Sequence, residues 1–318
     1  MAEEVSLRET YGRTLVELGG ENPDIVVLDA DLSHSTMTGY FAQKFPERYF
    51  NCGIAEQNMI GIAGGLAASG KIPFASTFAV FAVGHCFDQI RLSIAQPRLN
   101  VKLVVTHGGI SVGEDGVSQQ AIEDLALIGS LPGFTVIVPA DAIETAQAVR
   151  AAAAHFGPFY IRLCRPKLPL IYDQGYRFNL GKAVTMRRGG DATIIAIGLL
   201  VKAALDAAES LKGEGIDCRV LNMPTLKPID EAAIIRAAET GAIVTAEEHL
   251  EHGGLGSAVA RVVARHQPVP MEFVAIKDTY AQSGKPAELF ERYGLTAKDI
   301  ERGVKSAIKR KRLSASRP

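Results

Sequence analysis

Glu56 is the residue best placed for proton chemistry. It stands in the stretch Asn51-Cys-Gly-Ile-Ala-Glu-Gln-Asn-Met-Ile-Gly-Ile-Ala-Gly-Gly-Leu-Ala, where almost every following residue is apolar or small. That pattern predicts a buried helix over residues 56–69 that begins at the acid. Burial without a nearby cation disfavours the charged carboxylate, so the group could hold and exchange a proton. A glutamate at the start of a helix is also stabilised by the helix dipole, with no role in catalysis. The sequence leaves both interpretations of Glu56 open, the functional and the structural one.

A polar loop follows the strand predicted over residues 101–106. It reads Thr106-His-Gly-Gly-Ile-Ser-Val-Gly-Glu-Asp-Gly-Val-Ser-Gln-Gln and holds His107, Asp115 and Gln119. In open α/β sheets, ligands bind beyond the carboxyl ends of the strands. We therefore interpret this loop as a candidate binding site rather than a plain turn.

Three other features each allow two interpretations. Arg162 and Arg165 follow another predicted strand, where arginine suits a phosphate or carboxylate but equally a structural salt bridge. Phe78 and Phe81 share one face if the chain is helical there, although core packing is the simpler explanation. The stretch Gly253–Gly256 lacks the spacing of a nucleotide-binding loop, so a tight turn or a subunit contact is predicted.

Strand-like and helix-like stretches alternate along the chain, which predicts an α/β fold with parallel sheets. Residues 166–191 carry Pro, Gly and isolated aromatics with little periodicity, so we predict a linker there. The pattern therefore predicts two domains, at residues 1–180 and 190–318.

Short stretches of sequence predict where one helix begins and whether the C-terminal end of the chain is ordered. Asp141 is a plausible N-terminal cap for a helix predicted over residues 141–155. The stretch from Lys305 to Pro318 is basic and poor in apolar residues. That composition predicts a frayed, solvent-exposed tail.

Composition excludes several classes of protein. The 318 residues are 47% hydrophobic and 22% charged, as in globular proteins, and the formal net charge of -1 gives no reason to expect nucleic acid or an anionic membrane as a partner. No apolar run is long enough to span a bilayer, and the acidic start, Met1-Ala-Glu-Glu, does not resemble a signal peptide. Four scattered cysteines lack pairing or metal spacing. We therefore expect a cytoplasmic protein with reduced thiols and no metal ligands of its own.

The motifs together resemble the C-terminal two-thirds of transketolases. The matching stretches are Gly53-Ile-Ala-Glu-Gln-Asn58, Thr77-Phe78, Thr106-His107, Gly113-Glu-Asp-Gly116, Pro139-Ala-Asp141 and Gly253-Gly-Leu-Gly256. They occur in the family's order and approximate spacing and extend over nearly the whole chain. The resemblance implies a pyrimidine-binding domain followed by a transketolase C-terminal domain, with thiamine diphosphate as cofactor. It also implies the transfer of a two-carbon ketol unit between sugar phosphates.

The resemblance assigns four residues to the cofactor. Glu56 would hydrogen-bond the aminopyrimidine ring and exchange a proton with it, which a glutamine could not do. Phe81 would stack on the pyrimidine with Phe78 behind it. Asp31 matches the family's acid near the thiazolium ring.

The resemblance also assigns residues to the substrate. His107 and Asp115 match residues that contact sugar hydroxyl groups, and His107 is counted with Glu56 as catalytic. Arg8, Ser35 and Arg165 match the family's phosphate-binding positions. Two cations and a hydroxyl group would bind the distal phosphate and orient the reacting carbonyl.

Two positions depart from the family pattern. Gln119 lies in the substrate loop where many transketolases have His, so a neutral amide replaces a group that can donate a proton. This difference suggests an altered sugar or weaker activity. Gly84 stands where many members have Tyr, which leaves one side of the pyrimidine pocket less aromatic.

The sequence contains no Gly-Asp-Gly motif of the kind through which thiamine enzymes bind a divalent metal and the diphosphate. The resemblance therefore implies that an N-terminal transketolase subunit supplies Mg²⁺ or Ca²⁺, the diphosphate site and part of the substrate entrance. The site would then lie between subunits, and an α2β2 assembly is expected.

Three other functions remain open at this point. The β subunit of a 2-oxoacid dehydrogenase decarboxylase shares both domains, but the loop Gly113-Glu-Asp-Gly and the phosphate-binding set argue against it. A deoxyxylulose-phosphate synthase is a closer relative, although it is normally one chain. A non-catalytic regulatory or scaffold subunit would explain Gln119.

Overall fold

Short runs rich in β-branched and apolar residues form the strands of this protein. The computed structural model describes residues 4–315. The strands are β1 (Glu4–Ser6), β2 (Ile25–Asp29), β3 (Tyr49–Asn51), β4 (Ile72–Ser76), β5 (Lys102–Val105), β6 (Thr135–Ile137), β7 (Phe159–Arg162), β8 (Lys167–Pro169), β9 (Val184–Arg187), β10 (Ala192–Ala196), β11 (Cys218–Asn222), β12 (Thr225–Lys227), β13 (Ile243–Leu250) and β14 (Met271–Ile276).

Helices connect most of these strands and cover the sheets. They are α1 (Leu7–Glu21), α2 (Ser33–Thr36), α3 (Gly39–Lys44), α4 (Glu56–Ala68), α5 (Ala79–Ile90), α6 (Asp124–Ser130), α7 (Ala142–Ala154), α8 (Leu200–Gly213), α9 (Glu231–Ala238), α10 (Leu255–His266), α11 (Pro286–Tyr293) and α12 (Ala297–Ala315). A π-helical turn, Arg91–Ala95, extends α5, and 3₁₀ segments cover Pro46–Arg48 and Ile110–Asp115.

The strands form two sheets in which parallel pairing dominates. The first sheet has seven strands in the order β12-β6-β7-β5-β4-β2-β3, and only β12 runs antiparallel to its neighbour. The second sheet has five strands in the order β14-β13-β10-β11-β9, with β9 antiparallel at its edge. β1 and β8 form a separate antiparallel pair. The predicted α/β class with parallel sheets is confirmed.

Alternate residues of β2 face opposite sides of the first sheet. Ile25 and Val27 join the buried cluster that contains Tyr11 of α1. Val26 and Leu28 join the cluster beneath α4 and α5. Since both faces of a parallel sheet are covered by helices, its strands are continuous apolar runs rather than alternating ones.

One apolar core continues from the first sheet into the second. The cluster that contains Leu28 also contains Ile195 of β10 and Val259 of α10. In addition, β12 belongs to the second half of the chain but pairs with β6 of the first sheet, with Thr225 opposite Ile137. The contact between the two sheets is therefore mainly hydrophobic, and it is supported by strand pairing.

Two segments contain more regular structure than the sequence predicts. The predicted linker, residues 166–191, contains β8 and β9, which pair with β1 and β11. The prediction of a frayed tail is wrong up to residue 315, because α12 continues there and buries Ala307. One basic side chain of this helix, Lys311, donates to the carbonyl of Thr240, in the turn before β13, at 2.6 Å. Residues 1–3 and 316–318 lie outside the described residues.

Asp141 caps α7, as predicted, and also binds the segment that follows the first sheet. Its Oδ1 accepts the N–H of Glu144 at 2.8 Å. Its Oδ2 accepts the N–H groups of Ile171 and Tyr172 at 3.0 and 2.9 Å. One fully buried carboxylate thus satisfies three backbone donors.

Replacement of Asp141 by alanine is expected to lower the free energy of unfolding by about 3 kcal/mol, because three backbone N–H groups lose their acceptor. Urea unfolding followed by circular dichroism measures the change. Asp206→Ala is the control, since that acid is exposed and pairs with Lys202 one turn away on α8. Its cost should stay within about 0.5 kcal/mol. Equal losses in the two variants would contradict the assigned role of Asp141.

Candidate active site

Most of the candidate residues gather at one edge of the first sheet because they follow the carboxyl ends of parallel strands, whereas Arg8 lies on α1. Parallel strands end at the same edge, so residues distant in sequence become neighbours there. The strand ends and the residues that follow them are β2 with Asp31 and Ser35, β3 with Glu56, β4 with Phe78, β5 with His107, and β7 with Arg165.

The Glu56 carboxyl group contacts a neighbouring helix. Its side chain is only 8% exposed, and Oε2 lies 3.5 Å from Nδ1 of His85 on α5. Within residues 4–315, no N–H group at the start of α4 donates a hydrogen bond to it. Glu56 therefore contacts a side chain of another helix, in addition to the favourable interaction with the dipole of its own helix that the sequence predicts.

Four rings form a continuous stack from the loop after β5 to the neighbourhood of Glu56. Phe78 stacks on His107 with ring centroids 3.8 Å apart and on Phe81 at 5.6 Å. Phe81 stacks in turn on His85 at 5.1 Å. The stack places aromatic faces between the acid and the polar loop, where a flat ring could pack.

Gly84 leaves space on α5 beside this stack. A β-carbon at this position would meet no heavy atom within 4 Å. This side of the stack is therefore open where the sequence predicts a less aromatic pocket.

His107 is buried and uncharged at neutral pH. Its Nδ1 lies 2.8 Å from Oγ1 of Thr106, and its backbone φ is +60°. Burial, together with the positive charges of Arg8 and Arg165, lowers the pKa of His107 to about 3. The neutral ring can donate or accept a hydrogen bond, but it carries no proton to release near pH 7.

The three residues predicted to bind phosphate lie together. Arg8 donates to the carbonyl of Ser35 at 2.8 Å and to that of Arg165 at 3.3 Å. Arg8 Nε is buried without a hydrogen-bond partner in the described part of the chain. Burial and the charge of Arg165 lower the pKa of Arg8. The Arg165 guanidinium group donates to the carbonyl of Val112 at 2.6 Å and contacts the exposed Glu114 carboxylate at 3.4 Å. Two neighbouring arginines favour a bound anion.

Arg162 is structural, which decides one of the alternatives left open by the sequence. Its side chain is buried, and Nε donates to the carboxylate of Asp124 at 2.9 Å. The same carboxylate accepts the hydroxyl of Tyr160 at 2.8 Å. Of the two arginines around Cys164, only Arg165 borders the candidate site.

The remaining predicted residues lie at the rim of the site. Asp31 is exposed, with φ of +63°, and accepts a hydrogen bond from Asn51 at 2.9 Å. Asp115 is exposed at the end of its 3₁₀ segment. Gln119 is half-buried, and its Nε2 donates to Ser118 at 3.4 Å. Asp115 and Gln119 lie in or next to the loop after β5 and Asp31 follows β2, and the roles of all three stay predictions.

Two residues near the site were missed by sequence reasoning. His85 lies four residues after Phe81, a helical spacing that could have revealed it. Asp29 is buried at the end of β2, where it accepts the N–H of Leu32 at 2.5 Å and the hydroxyl of Thr36 at 2.6 Å. Burial raises the pKa of Asp29. These hydrogen bonds fix the conformation of the loop after β2. The sequence feature that could have revealed Asp29 is its position as an acid at the end of a strand.

Residues 4–315 contain neither a metal-binding cluster nor a membrane-spanning helix. No three His, Cys, Asp or Glu side chains cluster in a way that could hold a metal ion. No helix in this part of the chain combines the length and the hydropathy needed to cross a membrane.

Two family descriptions match the chain. The transketolase pyrimidine-binding domain matches residues 3–170, and the transketolase C-terminal domain matches residues 181–300. The chain belongs to the transketolase family. The predicted order of a pyrimidine-binding domain followed by a transketolase C-terminal domain is confirmed.

Similar proteins correspond to the C-terminal section of transketolases. A transketolase C-terminal section from Methanocaldococcus jannaschii is 45% identical over 307 residues, which are 96% of each chain. A 6-deoxy-6-sulfo-D-fructose transketolase subunit from a Clostridium species is 44% identical over 97% of this chain and 96% of its own. By contrast, this chain covers only 49% of mouse transketolase-like protein 2, to which it is 41% identical.

One solved structure is similar over nearly its whole length. It is described as a split-gene transketolase in the form of an inactive β4 tetramer. The TM-score is 0.91 and the identity 52%, covering 96% of this chain and 99% of that one. The present chain thus has the fold of the C-terminal section of transketolases.

His107 is expected to remain uncharged in the folded protein from about pH 8 down to about pH 4, whereas an unfolded histidine titrates near pH 6.5. The folded state then binds fewer protons, so the stability associated with neutral His107 is lost as pH falls from about 6.5 toward its folded pKa of about 3. NMR of histidine-labelled protein, assigned with His107→Asn, measures the titration. The urea-unfolded chain is the control, and a His107 signal that titrates near pH 6.5 in the folded protein would contradict the expectation.

Proposed function

We propose that this chain is the C-terminal subunit of a two-component, thiamine-diphosphate-dependent transketolase that transfers a two-carbon ketol unit between sugar phosphates. The observation that carries the proposal is a buried acid, Glu56, at the same sheet edge as Arg165, whose backbone carbonyl accepts a hydrogen bond from the Arg8 guanidinium group. An acid can exchange a proton with a cofactor, and the arginines can bind a phosphorylated sugar. We assign its domains to residues 1–180 and 190–318 and place it in the cytoplasm.

The residues of α4 and α5 fit the pyrimidine end of thiamine diphosphate. Glu56 can hydrogen-bond an aminopyrimidine and exchange its proton, and Phe81 offers an aromatic face for stacking. The open space at Gly84 leaves room for a ring. When bound, thiamine diphosphate supplies a carbon nucleophile for the carbonyl of the ketose. Asp31 would lie on the thiazolium side, where its charge favours a cationic ring.

The loop after β5 and the arginine pair would bind the sugar. His107, as a neutral ring, would exchange hydrogen bonds with the reacting end without releasing a proton. Asp115 would accept hydrogen bonds from hydroxyl groups. Arg8 and Arg165, with Ser35 beside them, would bind the distal anion and so fix the position of the carbonyl.

A second polypeptide is proposed to complete the site. The similar proteins of nearly equal length include a C-terminal section, a subunit and a split-gene product. Around α4, the apolar side chains of Ile54, Ile62 and Leu92 are exposed by 84%, 37% and 50%. An apolar surface beside a candidate site suits a subunit contact. We propose an N-terminal transketolase subunit there, which holds Mg²⁺ or Ca²⁺ and the diphosphate in an α2β2 assembly.

A sulfonated ketose is the second candidate substrate. The Clostridium relative is named for 6-deoxy-6-sulfo-D-fructose. Sulfonate and phosphate both present tetrahedral oxygen atoms, which Arg8 and Arg165 could bind alike. Gln119, a neutral amide where many transketolases have His, is compatible with a changed donor sugar.

Glu56→Gln is expected to lower kcat of the reconstituted two-subunit enzyme by about 10³-fold, because an amide can hydrogen-bond the pyrimidine but cannot exchange its proton. A coupled ketol-transfer assay measures the rate. The wild-type chain without its partner should show no turnover.

Glu47→Gln is the matched control, since Glu47 is an exposed acid in the same domain. Thermal unfolding should show that both variants are folded. Turnover retained by the Glu56→Gln enzyme would refute the role of Glu56. Robust ketol transfer by the lone chain would refute the two-component assignment.

Arg165→Ala is expected to raise KM for the anionic ketose about 10- to 100-fold, because charge-assisted hydrogen bonds worth about 1.5–3 kcal/mol are lost. KM for an uncharged ketose should not change. A panel of ketose phosphates and 6-deoxy-6-sulfofructose identifies the natural class by kcat/KM. Arg13→Ala, an exposed arginine on α1, is the control. An equal effect of Arg165→Ala on charged and uncharged sugars would exclude an anion site at this position.

A further inference from the structure

The C-terminal domain contacts the loop that carries the predicted substrate residues. We call residues 107–116 the His107 loop. At Gly113, a β-carbon would lie 3.2 Å from the ring of Pro286, at the start of α11. Just beyond the loop, Gln120 Nε2 donates to the carbonyl of Gln282 at 3.2 Å. The loop is therefore packed against the second half of the chain and is not free to move on its own.

Glu248 makes the most direct of these contacts. It lies near the end of β13, is only 3% exposed, and its Oε1 accepts the N–H of Ser111 at 2.5 Å. Gly109 has φ of +82°, and a β-carbon there would overlap the Glu248 carboxylate. Only a glycine at this position lets the loop backbone approach the acid so closely.

Arg162 holds the backbone around Glu248 in place. Its guanidinium group donates to the carbonyls of Glu248 and Ala121 at 3.0 and 2.9 Å. Close by, the N–H of Leu250 donates to the carbonyl of Ile122 at 2.9 Å. These bonds join the end of β13 to the pyrimidine-binding domain, so the position of the acid is fixed relative to the loop.

The His107 backbone needs such support. Its φ of +60° is unfavourable for a residue with a β-carbon and persists only where the surroundings hold it. On one side, the N–H of Gly108 donates to the carbonyl of Leu163 at 3.1 Å. On the other, Ser111 is bound to Glu248.

We infer that Glu248 is a positioning residue of the substrate site. From the C-terminal domain, its carboxyl group holds the His107 loop, and with it His107 and Asp115, in the geometry that binds the sugar. The inference rests on the proposed function for the identity of the substrate, whereas the contact between the domains does not depend on it.

The side-chain chemistry of Glu248 makes the inference testable. Burial raises the pKa of Glu248 to about 7, an effect opposed by Arg162 and by the hydrogen bond from Ser111. The neutral carboxyl form is thus accessible near pH 7. In Glu248→Gln, the amide oxygen can still accept the hydrogen bond from the Ser111 N–H group. In Glu248→Ala the acceptor is lost, and in Glu248→Asp the side chain is shorter by one methylene group and the acceptor lies farther from Ser111.

Glu247 provides a matched control in the same strand. It is 1% exposed and accepts the N–H groups of Leu255 and Gly256 at 2.6 and 2.7 Å. Those donors begin α10, inside the C-terminal domain. Glu247→Ala therefore removes an equally buried acceptor without touching the His107 loop.

Glu248→Ala in the reconstituted complex is expected to raise KM for the anionic ketose about tenfold, since an unpaired Ser111 N–H releases the loop. The dissociation constant of thiamine diphosphate should not change. Hydrogen exchange in peptides covering residues 107–116 of the same complex should become faster. Glu248→Gln should restore KM and exchange to near the wild-type values, and Glu247→Ala should alter stability alone.

Several outcomes overturn the inference. One is a Glu248→Ala protein that loses thermal stability as Glu247→Ala does but keeps wild-type KM and loop exchange. If the alanine variant does not fold, Glu248→Asp is decisive, and wild-type KM and exchange in that folded variant overturn the inference. Failure of the proposed function is distinguishable, because the wild-type complex would then lack ketol transfer while the exchange comparison still reports whether Glu248 holds the loop.

Discussion

Parallel pairing of β2, β4, β5 and β7 is the constraint on which the candidate site depends. In this arrangement neighbouring strands end at one edge of the sheet, and their backbone hydrogen bonds fix how far each one extends. Phe78, His107 and Arg165 each follow a different strand end. A sheet buried on both faces therefore brings together residues that are far apart in sequence, and it does so before any ligand binds.

The two domains are held together by apolar burial, and polar contacts set their alignment. The shared core from Leu28 to Val259 supplies the hydrophobic contact. The buried pair of Arg162 and Asp124 adds little net stability, because desolvation offsets much of the attraction between the charges. The pair instead positions the Arg162 guanidinium group, which donates to the carbonyl of Glu248 and so fixes where β13 contacts the pyrimidine-binding domain. The C-terminal domain thereby becomes part of the frame around the His107 loop.

Positive charge dominates the electrostatics of the proposed sugar site. Arg8 and Arg165 lie close together, and their positive field together with burial keeps His107 neutral. Two neighbouring arginines beside a neutral ring suit an anionic substrate end, and the exposed carboxylate of Glu114 contacts the Arg165 guanidinium group at 3.4 Å. Glu56 lies at the far end of the ring stack, so the proposed sites of proton exchange and of anion binding are separated by the rings.

The sequence by itself determined the α/β class, the helices that begin near Glu56 and Asp141, and the residues that match transketolases, because these depend on local periodicity and on short motifs. It also identified Asp141 as a cap. Only the tertiary structure decided that Arg162 is structural, that His85 contacts Glu56 and that Glu248 reaches the His107 loop. Each of those contacts joins separate elements, and their distances are set by how the sheets and helices pack. No pattern within one segment encodes that packing.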